Sequence, residues 1–357
     1  MKIIHCADLH LDSRMETHFT SEQAKIRRME MLATFEDMVD YGLEHQVELI
    51  LIAGDLFDSN QENSSLIKKQ VLELIRHTNE IDFLYLAGNH DGDGFVLDTE
   101  EIPENLKLFS SKEWMTYSYG SIRISGVSQL QSRLQNPIWQ EEHFNIVMLH
   151  GQIKEYGSDL LSDDILLQDY AGQSVDYMAL GHIHEFSSGR LDERGIYCYP
   201  GCLEGRGFDE CGEKGFVLLE IQGSTLEMNF IPFSRRVFHR IEVDVNRGTA
   251  EETYYKVMEV VKAIPTTDMT HLILSGERRM EDEWDISYIR QRLKDRFFLV
   301  KLEDKTRGIL LTKNLEEDLS IKGEYIRIVN QLDLTEQERS EVIQIGLLAL
   351  QGRQVFV

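Results

Sequence analysis

The sequence predicts an α/β protein: a two-sheet β-sandwich flanked by helices, then a smaller β-α-β-α-β cap domain and C-terminal helices. Three observations predict it. Over residues 3–87 short apolar runs alternate with amphipathic segments in the order strand, helix, strand, helix, strand, which implies parallel pairing through right-handed crossovers. From about residue 106 the texture changes to strand-length apolar runs separated by turns, and these need a second sheet to cover them. After a connector at Pro232-Phe233-Ser234-Arg235-Arg236, a fresh alternation of strand and helix begins.

Taken in order, residues 3–7 form a first strand. Thr20 and Gln23 have the spacing of a capping box, which opens a helix over about 21–46. Ile26, Met29, Leu32, Phe35, Met38 and Val39 give that helix an apolar stripe for packing. Residues 47–53 are a second buried strand, 61–78 a second helix and 83–87 a third strand. The runs 122–127, 145–149, 176–180, 196–199 and 216–221 are read as the second sheet, packed face to face on the first with helices outside. Past the connector come strands at 240–245, 271–274 and 297–302 and helices at 249–263 and 286–296. The tail is helical over 324–332 and 335–350, and the apolar faces of those helices need a cover. The expected domains are 1–235, 236–312 and 313–357.

The whole-chain properties narrow the class. At 357 residues the chain has room for one large catalytic unit and an appendage. The N-terminus turns polar at once, which leaves no room for a signal peptide, and no apolar run is long enough to cross a bilayer, so a cytoplasmic protein is expected. Four cysteines without a CxxC pair fit neither a disulfide framework nor structural zinc. The formal net charge of −25 argues against a large basic face. That charge is uneven: residues 1–235 carry 40 acidic against 18 basic side chains, and residues 236–357 carry 22 against 19. A carboxylate-rich site that binds cations offsets some of the excess.

Five islands of ligand-type residues follow predicted strands: Asp8-Leu9-His10, Gly54-Asp55-Leu56-Phe57-Asp58, Gly88-Asn89-His90-Asp91, His150-Gly151 and Gly181-His182-Ile183-His184. An Asp-x-His or His-x-His pair on extended chain sends both side chains to one side. Neighbouring glycines let the backbone approach a crowded site. Each island alone reads equally well as a polar turn, a helix cap or a satisfied core histidine. All five at strand ends point to one site. Carboxylate, imidazole and amide donors without cysteine suit divalent Mn, Fe or Zn. The donors outnumber one ion's needs, so two ions bridged by a carboxylate are expected.

These motifs, in this order, resemble those of the calcineurin-like metallophosphoesterases. The stretches MKIIHCADLHLDS, LIAGDLFDS and YPGCLEGRGFDECGEKGF resemble the SbcD-type DNA repair exonuclease subunits, in their YhaO-like branch. The resemblance covers about 1–235 and is looser beyond, where GEYIRIV alone matches. It implies that Asp8, His10 and His184 hold one ion, that Asn89, His150 and His182 hold the other, and that Asp55 bridges them. It assigns His90 to the leaving oxygen as general acid and Asp91 to orienting His90. Asp58 stays open between the site and a helix N-cap before Gln61; His5, His18 and Arg206 stay open between substrate contact and structure. The implied activity is that of a manganese-dependent DNA phosphodiesterase, exonuclease and also endonuclease, working with an SbcC-like coiled-coil ATPase. The resemblance also implies a homodimer through helices 21–46 and 61–78. A phosphatase or small-molecule phosphodiesterase on the same centre, and a mainly scaffolding subunit, are the alternatives.

Overall fold

The computed structural model describes residues 1–58, 64–91, 102–128, 135–154, 164–279, 284–309 and 319–350. Its packing separates two units, Met1–Phe238 and His239–Val357.

The first unit contains β1 (Lys2–Cys6), α1 (Ser21–Glu44), β2 (Leu49–Ala53), α2 (Ser64–His77), β3 (Asp82–Leu86), β4 (Leu106–Leu108), β5 (Met115–Tyr119), β6 (Ile122–Gly126) and β7 (Phe144–His150). It continues with β8 (Gln152–Ile153), β9 (Asp164–Ile165), β10 (Tyr177–Gly181), β11 (Ser187–Arg190), β12 (Ile196–Tyr199), β13 (Gly215–Gln222) and β14 (Thr225–Pro232). One sheet has the order β14-β13-β1-β2-β3-β4 and the other β11-β12-β10-β7-β6-β5. In the first, β1 to β4 are parallel; in the second, β6, β7, β10 and β12 are parallel. Parallel strands buried on both faces need continuous apolar runs, which is why Leu49–Ala53 reads LILIA and is buried throughout.

Alternation along these strands divides the core. Ile3, Leu51, Ala53 and Leu84 face Ile124, Ile146, Met148 and Ala179 between the sheets. Ile4, Ile50, Ile52 and Phe83 point the other way, onto Phe35, Met38, Val71 and Ile75 of α1 and α2. The outer face of the second sheet, Val147, Leu149, Met178 and Leu180, is covered among the described residues by Trp139, Ile165 and Tyr170. Among those residues no helix is long and apolar enough to cross a membrane.

Two expectations change. The sequence pattern places residues 216–221 in the second sheet; β13 instead joins the first, antiparallel to β1, with Ile4 opposite Leu218. A strand buried on both faces carries no mark of which sheet it joins. The buried stripe of α1 also differs from the expected one. Met31, Phe35, Met38 and Val39 face the core, but Ile26 and Met29 are exposed, Met29 at 65%. The places inside that a purely apolar pattern gives to Ile26 and Met29 belong to Arg27 and Thr34. Arg27 is fully buried: its Nη2 donates to Glu204 Oε2 at 2.7 Å and to the Gly205 carbonyl at 3.0 Å, and Nη1 donates to Glu30 at 2.7 Å. Thr34 Oγ1 donates to the other Glu204 oxygen at 2.7 Å. The capping box forms as expected, with Gln23 N–H donating to Thr20 Oγ1 at 3.3 Å and Thr20 N–H to Gln23 Oε1 at 3.0 Å.

The second unit takes β15 (Phe238–Asp244) from the junction and adds α3 (Ala250–Val260), β16 (Met269–Ser275), β17 (Glu277–Arg279), α4 (Ser287–Lys294), β18 (Leu299–Asp304) and β19 (Arg307–Ile309). The sheet β15-β16-β18 packs Val243, Leu272 and Leu274 under α3 and α4. Helices α5 (Ile321–Asn330) and α6 (Glu336–Leu350) close on each other through Ile326, Val329, Ile343 and Leu347. They supply part of their own cover. Ile321, Ile328 and Leu332 remain exposed. The expected boundary at 312/313 lies outside the described residues.

The Arg27–Glu204 pair ties α1 to the Gly201–Cys211 loop, and its removal has a measurable cost. Arg27→Met strands a buried carboxylate and is expected to lower stability by about 3 kcal/mol. Arg27→Met combined with Glu204→Gln, which keeps an acceptor for Thr34 while removing the charge, is expected to recover more than half of that loss in urea unfolding.

Candidate metal centre

The five islands converge at one edge of the sandwich, beyond the C-terminal ends of β1, β2 and β3 in one sheet and β7 and β10 in the other. The loop after β1 is tied to the loop after β2: Asp8 N–H donates to the Gly54 carbonyl, His10 N–H to that of Asp55 and Leu11 N–H to that of Leu56, each at 3.0 Å. This tight path forces unusual backbone. Asp8 (φ 52°), His10 (44°), Asp55 (52°) and His182 (104°) all have positive φ. Non-glycine residues pay about 1–3 kcal/mol each for such conformations, which persist where the surroundings overdetermine them. At three island positions only glycine fits. A Cβ on Gly54 (φ 92°) meets His150 Nδ1 at 2.0 Å, a Cβ on Gly88 meets Asp55 Oδ1 at 2.2 Å, and a Cβ on Gly181 meets the Ala53 carbonyl oxygen at 1.8 Å.

Asp8 and Asp55 lie at the centre, each 1% exposed. The His182 N–H donates to both oxygens of Asp8, at 3.0 and 2.9 Å, and the His90 N–H donates to Asp55 Oδ1 at 2.8 Å. Burial pushes the Asp8 carboxyl above its ordinary value, and Asp55 adds to the push, against the pull of three neighbouring imidazoles. Burial pushes Asp55 the same way, but its contact with His150, together with the nearby His10 and the His90 N–H, outweighs it and holds the carboxyl at about 2. The same contact, Nε2 to Oδ2 at 3.3 Å, lifts His150 to about 9 although burial works against its charge. Positive charge is strongly favoured at this point.

Three imidazoles share one arrangement. His10 Nδ1 meets Asp58 Oδ1 at 2.5 Å, His150 Nδ1 meets the Ala53 carbonyl at 2.9 Å, and His184 Nδ1 meets Glu210 Oε1 at 2.7 Å. Each Nδ1 therefore donates outward and leaves Nε2 facing in. His10 Nε2 is buried with no hydrogen-bond partner among the described residues, 3.9 Å from Asp55 Oδ2; His184 Nε2 is 3.9 Å from Asp8 Oδ1. In its neutral form an imidazole fixed by an acceptor at Nδ1 has its lone pair on Nε2 and is prepared for a metal; His150, lifted to about 9, reaches that form only when a cation takes the place of its Nε2 proton. The donor atoms of Asp8, His10 and His184 lie within 4.8 Å of one another, as do those of Asp8, Asp55 and His150 and those of His10, Asp58 and His90. The residues fit divalent cations.

The remaining candidates fall around this core. Asn89 Oδ1 is 2.9 Å from His150 Nε2, and the His182 ring stands edge-on to that of His150, centroids 5.4 Å apart. His90 is exposed, its side chain 54% accessible, with Nδ1 3.6 Å from Asp58 Oδ1. Asp91 has a different job from the expected one: its carboxylate accepts the N–H groups of Phe57 and Gly88, both at 2.8 Å, and holds the two loops together. Beside the His90 ring stand Asp58 and the ring of His10, the latter with centroids 5.3 Å apart. His5 is buried, its Nδ1 2.8 Å from the Tyr177 hydroxyl; burial pushes its pKa down to about 3, and it is structural. His18 packs on Phe208, centroids 5.6 Å apart. Sequence reasoning missed Glu210, whose one signal is its place four residues after Arg206 in the GRGFDE stretch.

The glycine contacts lead directly to a test. Gly54→Ala and Gly88→Ala are each expected to weaken Mn2+ binding in calorimetric titration by tenfold or more, roughly the loss typical of displaced ligand supports. The far-ultraviolet circular dichroism is expected to stay the same.

The chain is similar to the metallophosphoesterase YhaO of Bacillus subtilis, 27% identical over 72% of this chain and 67% of the relative. It is also similar to the DNA double-strand break repair protein Mre11 of Sulfurisphaera tokodaii, 26% identical over 77% and 74%, and to that of Sulfolobus acidocaldarius, 24% identical over 77% and 75%. The family model for calcineurin-like phosphoesterases matches residues 1–186, which include β1 to β3, β7, β10 and every island described above. On that match, over more than half of its length, the chain belongs to the calcineurin-like phosphoesterases, metal-dependent hydrolases of phosphate esters.

Proposed function

We propose that this phosphoesterase is a DNA nuclease, an exonuclease with endonuclease capacity, that uses two Mn2+ ions and works in the cytoplasm in DNA repair. The observation that carries the reading is an exposed imidazole, His90, at the rim of a buried set of acidic and imidazole donors. DNA is favoured over a small ester because the likeness to the DNA repair relatives spans 77% of the chain, more than the length of the first unit.

In this reading Asp8, His10 and His184 hold one ion, Asn89, His150 and His182 hold the other, and Asp55 serves both. Bound there, two divalent ions would supply Lewis acidity, lowering the pKa of a water so that it can attack as hydroxide and offsetting charge on the phosphate oxygens. The protein's own groups do the rest. His90, its Nδ1 3.6 Å from the Asp58 carboxylate, gives a proton to the departing sugar oxygen as the P–O bond breaks. The proton released by the water goes to solvent. Asp91 serves by holding the loop that carries Asn89 and His90. The exposed Ile321, Ile328 and Leu332 form a seat for a coiled-coil ATPase of SbcC type, and the exposed Ile26 and Met29 of α1 and Leu66 of α2 a seat for a second copy.

With Mn2+ and linear DNA the protein is expected to release nucleotides, and His90→Asn to lower kcat by about 10²–10⁴ with Mn2+ affinity unchanged. Turnover of phosphomonoesters or cyclic nucleotides far above that of DNA would assign the centre to a phosphatase or small phosphodiesterase instead. Loss of all hydrolysis with metal still bound would leave a scaffold. Ile321→Glu combined with Ile328→Glu is expected to abolish co-elution with the ATPase subunit on gel filtration while nuclease activity persists.

A further inference from the structure

Outside the ligands stands a group that the hydrolytic scheme does not use. Glu210, 7% exposed, accepts from Arg206 through its main-chain N–H at 2.7 Å, Nη2 at 2.9 Å and Nε at 3.3 Å. The same carboxylate takes the Nδ1 proton of His184 at 2.7 Å. Arg206 Nη2 is also 3.1 Å from that nitrogen, but an ionised carboxylate can only accept, so Nδ1 must carry the proton and the guanidinium donates to Oε1. On its other side Arg206 Nη1 lies 3.7 Å from Asp58 Oδ2, and Asp58 Oδ1 holds His10 Nδ1 at 2.5 Å. One guanidinium thus spans two carboxylates, and each carboxylate fixes one imidazole of the group Asp8, His10 and His184.

We propose that Arg206 and Glu210 are positioning residues, a clasp that sets the tautomer and spacing of His10 and His184 and thereby the affinity of one of the two cation positions; this rests on the metal-centre reading given above. The geometry separates this role from substrate binding. A guanidinium reserved for a phosphate keeps its donors turned to solvent, whereas Arg206 is 21% exposed and has Nε, Nη2 and its main-chain N–H on one carboxylate. The rigid fork of arginine suits a span of two acids, which a lysine ammonium cannot match. Glu210 reaches the site from the loop that Glu204 anchors to α1 through Arg27, so the clasp has a fixed base.

The experiment is a calorimetric titration with Mn2+ alone of the wild-type protein, Arg206→Met, Arg206→Lys and Glu210→Gln. The expected result is about a 10- to 100-fold weaker affinity at one of two sites in Arg206→Met, with smaller losses in Arg206→Lys and in Glu210→Gln, whose amide oxygen still accepts from His184. At saturating Mn2+ the KM for bis(p-nitrophenyl) phosphate is expected to stay at the wild-type value. Unchanged Mn2+ affinity in Arg206→Met overturns the proposal, and a raised KM beside it makes Arg206 a substrate contact. If Arg206→Met fails to fold by circular dichroism, Arg206→Lys decides by the same criterion. Wild-type protein that binds no Mn2+ overturns the metal-centre reading itself, a result distinct from two intact sites in every variant.

Discussion

The arrangement depends on burying two carboxylates, Asp8 and Asp55, beside each other where both sheets end. Each buried ion costs several kcal/mol unless donors and opposite charges surround it, and two of like sign add their mutual repulsion. The structure meets this demand with main-chain N–H groups from His182 and His90 and with imidazoles from three separate strand ends. Such donors reach the carboxylates only if the chain turns sharply after each strand. The positive φ angles at Asp8, His10, Asp55 and His182 follow from that need, and so do the glycines at 54 and 88, where a side chain would occupy the space of a ligand. A rigid sandwich holds this strain because its parallel strands are packed on both faces.

The same requirement extends outward in layers. Three imidazoles have an outward Nδ1 with an acceptor behind it: Asp58 for His10, the Ala53 carbonyl for His150 and Glu210 for His184. The last of these sits on a loop whose base is the Arg27–Glu204 pair, so a fully buried arginine on the helical layer supports an imidazole at the sheet edge. A buried ion pair contributes little net stability against well-packed apolar residues. Its use in this protein is orientation, since Thr34 and the Arg235 N–H converge on the same carboxylate and leave Glu204 a single position.

How much of this was legible in the sequence follows from what each residue type signals. The parallel strands announce themselves because burial on both faces demands unbroken apolar runs, and the five islands stand out because they follow such runs. Partnership across the fold is silent. Nothing local separates β13 from the strands of the second sheet, since its apolar run serves either. Arg27 and Thr34 look like surface residues of an amphipathic helix until Glu204, 177 residues from Arg27 in sequence, is brought beneath them. Asp91 next to His90 suggests a dyad by adjacency, but the tight loop turns its carboxylate to main-chain donors, and Asp58, 32 positions earlier, comes to the ring instead. Short-range chemistry can be read along the chain, whereas long-range pairing of charged groups is decided by packing.

That distinction bears on the acidity of the chain. A net charge of −25 stands against the polyanionic substrate proposed above, and 40 of the acidic residues lie within residues 1–235. A formal count treats all carboxylates alike. Asp55 is answered by His150, Glu204 by Arg27, Glu210 by Arg206 and Asp91 by two N–H groups, and all four carboxylates are buried. Charges exposed at the surface are screened beyond about 8–10 Å at ordinary salt. The field that a phosphate meets at the strand ends is therefore set by the local balance of carboxylates, imidazoles and cations. Cations held at Asp8 and Asp55, as proposed above, would reverse the sign of that field at the strand ends. An acidic composition and a phosphodiester substrate are thus compatible, because the carboxylates that bring the cations are among those that give the chain its charge.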